Sequence, residues 1–317
     1  MSSIEREDIH IISRHSNLSP ESIDTLLKNN VYSSRQDWRK FLRLFFISLG
    51  VGFTTIGILF FFAYNWADLH KFIKIGLVEA GVIILTCIVL FTKIRVEIKN
   101  IFLTGASVLV GVLFAVFGQI YQTGANAFDF FLAWMVFIML WVFIANFAPL
   151  WLIFITLINT TFILYTEQVA EDWSVILVFT LLYVLNGLIL VFFLITKDTK
   201  IKIDAPDWST NIMTFTAVTF GTMGIIAGIF DKYETIFPVL VILVIVTYSI
   251  GVWYGLLVKR LFYLAVISLS VICIISTLII KISSDYLTFF IVSLFIVASV
   301  TLVIKQLIAL QKKWNHG

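Results

Sequence analysis

Glu79 is the one carboxylate that falls clearly inside a long apolar run, in the stretch Gly76-Leu77-Val78-Glu79-Ala80-Gly81. A charged side chain at the centre of a bilayer costs about 2.5 to 3.5 kcal/mol on insertion scales, and a helix otherwise built of Leu, Ile and Val offsets that cost. A carboxylate so placed is fitted to carry a proton or to pair with a cation. Its small neighbours Gly76, Ala80 and Gly81 predict a tightly packed helix contact around it. The plainer account is a neutral Glu79 hydrogen-bonded to an amide such as Gln119 or Gln122.

A second group of polar residues separates two apolar runs: Gln119, Tyr121, Gln122, Thr123, Gly124, Asn126 and Asp129, with no Lys or Arg among them. Gln119 and Gln122 are three apart and share a helix face, while Asn65 and Asp68 close the first apolar run at the same level. Amides and aromatics in this mix suit a small-ligand pocket. The candidate binding or coupling residues are therefore Glu79, Asn65, Gln119, Tyr121, Gln122, Asn126 and Asp129. The bland alternative is that they satisfy helix ends and loop backbone. Asn159 and Asn186 lie near the middle of two later runs, spaced to bond to each other across helices.

Other chemistry finds little to work with. His10, His15, His70 and His316 are scattered, without metal-ligand spacing, and no G-x-x-x-x-G-K, G-x-S-x-G or C-x-x-C occurs. No catalytic, cofactor-binding or metal-binding residues are assigned, and an enzyme is not expected. Cys87 and Cys273 both fall in apolar runs and read as small packing residues.

The elements that must position these groups follow from composition. Hydrophobic residues make up 60% of the 317 and charged residues 13%, whereas a soluble domain is nearer half apolar and a quarter charged. The fold class is an all-α, polytopic transmembrane bundle. Ten runs approach the ~20 residues that a hydrocarbon core of about 30 Å requires, beginning with Leu44 to Tyr64 and ending with Tyr286 to Ile308. The fifth, Leu150 to Tyr165, is short; the seventh, Ile212 to Phe230, is rich in Thr and Gly. Three regions are expected: an N-terminal helical segment over 1–40, a membrane domain over 41–308 and a tail over 309–317. In the first, Ser19-Pro20-Glu21 reads as a helix start, and Ser33 with Gln36 has capping-box spacing. This polar opening is not expected to act as a cleaved leader.

Charge supports the count. With the N-terminus inside, about fifteen Lys and Arg flank the inner ends of the runs, while the outer segments hold Lys71, Lys74, Lys232 and Lys281. Trp66, Tyr121, Tyr165, Trp173 and Tyr286 land at the outer interface; Trp38, Trp208, Trp253 and Tyr254 land at the inner one. All four prolines sit at helix starts or in loops, which counts against a transporter built on broken helices.

Ala63-Tyr64-Asn65-Trp66, and Gly118-Gln119-Ile120-Tyr121-Gln122 followed by Trp134, give the chain a resemblance to the bacterial membrane family catalogued as domain of unknown function 2157. The short N-terminal helices fit the same family, and the resemblance extends over most of the chain. It implies a multi-span bacterial inner-membrane protein and brings no catalytic residues; the cytoplasmic placement of both termini rests on the charge distribution. The functional expectation is binding or transport of a small solute or ion; the alternative is a non-catalytic membrane scaffold or assembly partner. The partners expected are the lipid bilayer and a small solute or ion; the glycine faces Gly224/Gly228 and Gly251/Gly255 read first as close helix packing within the bundle, with a second copy of the chain as the sharper alternative. Nucleic acid is not expected, since no basic patch stands apart from the membrane flanks.

Overall fold

A computed structural model of the chain describes residues 6–16, 18–32, 34–65, 70–121, 124–196, 205–231, 235–282 and 285–316. Among these residues the chain is all helical. Two short helices, α1 (Arg6–His15) and α2 (Pro20–Asn30), precede ten long ones: α3 (Arg35–Asn65), α4 (Lys71–Phe91), α5 (Val96–Tyr121), α6 (Ala127–Ala145), α7 (Ala148–Gln168), α8 (Val175–Thr196), α9 (Asp207–Phe230), α10 (Phe237–Leu257), α11 (Leu261–Ile282) and α12 (Tyr286–His316). All ten are long and apolar enough to cross a membrane. The short fifth run gains length from both ends and becomes the 21-residue α7, with Pro149 in its first turn; the seventh becomes the 24-residue α9.

Helix starts follow local chemistry. Ser19 caps α2 by accepting from the backbone N–H of Ser22 at 3.2 Å, with Pro20 next to it. The cap of α3 lies one residue beyond the expected Ser33/Gln36 pair. Asp37 N–H donates to Ser34 Oγ at 3.2 Å, and Ser34 N–H donates to Asp37 Oδ2 at 2.9 Å. A carboxylate is a stronger acceptor than an amide, which favours the shifted register. Ser33 itself lies outside the described residues, as do Trp66 and Asp68. The helices α3 and α12 run unbroken across residues 40 and 308.

Two compact units divide the chain, Met1–Val116 and Phe117–Gly317, with the boundary inside α5. In the first unit, small residues let helices approach. A Cβ added at Gly105 would lie 2.5 Å from Val51 Cγ1, and one at Gly81 would lie 3.1 Å from Leu109 Cδ1. Lys40 and Glu97, 3.7 Å apart, tie the start of α3 to the start of α5.

In the second unit, α6 and α7 form a hairpin through Asn146, whose left-handed backbone (φ 44°) is one that Asn tolerates well. The helices α8 to α11 pack around Tyr183, Val218, Leu240, Val244, Tyr248 and Ile267. Here the glycine faces are filled from within the chain, the packing preferred for them over a dimer surface. Gly224 faces Leu240 and Phe179, Gly228 the Phe237 ring, Gly251 Ile267, and Gly255 Leu264 and Tyr263. The close approach that these four glycines permit is thus used by helices of the same chain. Cys87 and Cys273 are also exposed and not packed inside.

Candidate functional site

Glu79 is exposed on α4. The packed stripe of that helix runs through Lys74, Val78, Gly81 and Leu85, and five residues from Lys74 carries Glu79 about 140° round the helix. No atom lies within 4 Å of where a Cβ at Gly76 would be. The tight contact expected around Glu79 forms at Gly81 and leaves the carboxylate on the other face.

Asn126 and Asp129 are brought together, as a helix cap. Asp129 Oδ2 accepts from the Asn126 backbone N–H at 3.1 Å, and Gln168 Oε1 at the end of α7 accepts from Phe128 N–H at 3.1 Å. Two backbone donors at the start of α6 are satisfied in this way. Gln119 and Tyr121 occupy the exposed last turn of α5, where the Tyr121 ring lies 4.5 Å from that of Phe117. Gln122 and the side chain of Asn65 lie outside the described residues. Among the described residues, no three of His, Cys, Asp and Glu come together to hold a metal ion.

A further candidate site lies elsewhere, between α8, α9, α10 and α11. A cavity of about 390 Å³ is lined by Tyr183, Gly187, Thr214, Thr247, Gly251 and Tyr263 among a majority of aliphatic side chains. Its rim carries Leu188, Val191, Ile250 and Trp253, all exposed, so the opening is lateral and faces the bilayer. In the first unit, a further apolar groove of about 470 Å³ runs along Gly50, Thr54, Thr55, Gly81, Phe102 and Leu109.

Hydroxyls in and behind the cavity wall are satisfied by one another. Thr247 donates to the Leu243 carbonyl at 2.7 Å, which leaves its oxygen to accept from the Tyr183 phenol. A longer chain backs the cavity. Thr222 donates to the Val218 carbonyl at 2.7 Å, so the 2.6 Å bond between Thr222 and Ser270 has Ser270 as donor, and Tyr248 in turn donates to Ser270 at 2.6 Å. None of these residues stood out in the sequence, because single hydroxyls on apolar helices usually bond back to their own backbone. The available signal was depth: Tyr183 and Tyr248 sit well inside their spans, whereas membrane tyrosines concentrate at interfaces.

At one end of the bundle the cavity approaches charge. Arg260, in the turn between α10 and α11, pairs with Asp207 at the start of α9 at 2.6 Å. The carboxylate raises the pKa of the guanidinium, and Tyr263 and Tyr254 lie near enough to contribute. Their rings meet edge to face, 5.6 Å apart, and both line the cavity.

A family model described as "Predicted membrane protein", domain of unknown function 2157, matches residues 15–151. Over those residues the chain is similar to this family. No curated protein and no solved structure matches the chain. The segment shared with the domain of unknown function 2157 family ends at Trp151 in α7. It holds Asn65, Glu79, Gln119 and the Asn126/Asp129 cap, whereas the cavity helices α8 to α11 lie beyond it.

Proposed function

We propose that the protein binds a small, predominantly apolar solute within the membrane, in the cavity of its second unit, and moves it without chemical change. The supporting observation is the wall: an aliphatic and aromatic surround in which the hydroxyls of Tyr183, Thr214, Thr247 and Tyr248 are already paired, offering a bare ion little to replace its hydration. Glu79 is the carboxylate that coupling of such movement to protons would use. The family resemblance implies the bacterial inner membrane as the bilayer, and the distribution of Lys and Arg is the reason to place both termini in the cytoplasm.

Gly187 provides the test. It lines the cavity, and no atom lies within 4 Å of a Cβ placed there, so a larger side chain fills the space without a clash at its root. Full-length protein purified in mild detergent is expected to carry a small molecule detectable by mass spectrometry of the extract, and Gly187→Leu is expected to lose it. Equal content in the two proteins would remove this reading.

A second reading is a membrane scaffold, favoured by one observation: at Gly50, Gly52 and Gly57 on α3 an added Cβ would meet no atom within 4 Å, unlike the filled glycines of α9 and α10. Such open positions let a partner helix approach closely. Deletion of residues 1–30 together with Gly52→Leu is expected to release co-purifying proteins; an unchanged set counts against it.

A further inference from the structure

We infer that the occupant of the cavity is one hydrocarbon chain of an anionic bilayer lipid, entering sideways between α8 and α10, with its head group beside Lys259 and Arg260. This rests on the reading of the cavity as a binding site and names the ligand class.

Depth is the first argument. On α10 the lining runs from Leu243 to Tyr254 and on α8 from Tyr183 to Leu194, eleven residues or about 16 Å of helix in each. Half of a hydrocarbon core is about 15 Å. The cavity thus spans one leaflet, from mid-membrane to the end where α8 finishes, α9 starts and α10 turns into α11.

Access is the second. The exposed rim of Leu188, Val191, Ile250 and Trp253 opens towards lipid along the length of the cavity. A chain already in the bilayer therefore enters without crossing water. The paired hydroxyls of Tyr183, Thr214, Thr247 and Tyr248 ask for no polar atom inside, which suits a hydrocarbon tail better than a functionalised solute.

Charge at the mouth is the third. Lys259 is exposed, and Arg260 keeps a side chain that is 30% exposed while it pairs with Asp207. A guanidinium has five N–H donors and one carboxylate does not engage them all, so donors remain for a lipid phosphate. Trp208 and Trp253, both exposed at this end, sit at the depth where indoles meet head groups.

The experiment is native mass spectrometry of the full chain released from micelles doped with equal phosphatidylglycerol and phosphatidylcholine of the same chain length. One retained lipid is expected, with phosphatidylglycerol in about fivefold excess. Gly187→Leu should abolish the adduct. Gly187→Ala, one carbon larger than the native residue, should fold normally and weaken it. Lys259→Ser with Arg260→Gln should keep a lipid but lose the preference. Equal retention of the two lipids by the native protein overturns the proposal. A Gly187-dependent adduct that is not a lipid overturns the lipid assignment and leaves the binding reading standing. Absence of any Gly187-dependent adduct overturns both.

Discussion

Asn159 on α7 and Asn186 on α8 exchange two amide hydrogen bonds: Asn159 Nδ2 donates to Asn186 Oδ1 at 3.1 Å, and Asn186 Nδ2 donates back to Asn159 Oδ1 at 2.6 Å. Each amide also donates to its own helix four residues back, at the Ile155 and Leu182 carbonyls. Both side chains are buried, so every strong donor in the pair is used.

Replacing one partner leaves a buried amide half satisfied. Asn186→Leu is expected to lower stability by about 1 to 3 kcal/mol. The Asn159→Leu/Asn186→Leu double variant should lose less than the sum of the singles, with a coupling energy near ~0.6 kcal/mol. Unfolding in mixed micelles measures all four proteins. Strict additivity would mean that the pair carries no energy of its own.

The Asn126/Asp129 contact is a cap, and it should behave as one. Asp129→Ala is expected to cost about 1 kcal/mol and to leave ligand retention by the cavity unchanged. A loss of retention at full stability would return Asp129 to the list of binding residues.

Glycines of the same chain should respond in opposite ways. A Cβ at Gly221 would stand 2.8 Å from the Tyr183 ring, so Gly221→Ala should cost about 1 to 3 kcal/mol and disturb the Tyr183–Thr247 bond. Gly187→Ala meets open space within a helix and should be neutral or stabilising by up to about 1 kcal/mol. Thermal stability in detergent compares them directly; equal losses would contradict the packing described.

Sidedness can be read with reporter tags. Ten spans place a tag after Gln122 and a tag after Lys200 in opposite compartments, with the Lys200 site cytoplasmic. Accessibility of the two tags to an impermeant reagent decides it, and a shared compartment would overturn the orientation.

The ten spans were legible in the chain because span length is a local property: an apolar run either reaches across about 30 Å or it does not. The Ser19 cap was legible because its Ser-Pro-Glu signature is equally local, and the Asn159/Asn186 pair because few partners exist for an amide in a hydrocarbon setting. Which face of each helix packs was not. Helices apolar all round carry no stripe to say what they touch, so the sequence left Glu79 beside a packed contact and did not decide which side chains meet Gly224 and Gly228. Only the tertiary structure turned Glu79 outward, filled those glycines with Leu240 and Phe237, and left unfilled space next to Gly187. Cavities arise from the mismatch of several side-chain shapes across four helices, and no single stretch of sequence contains that information.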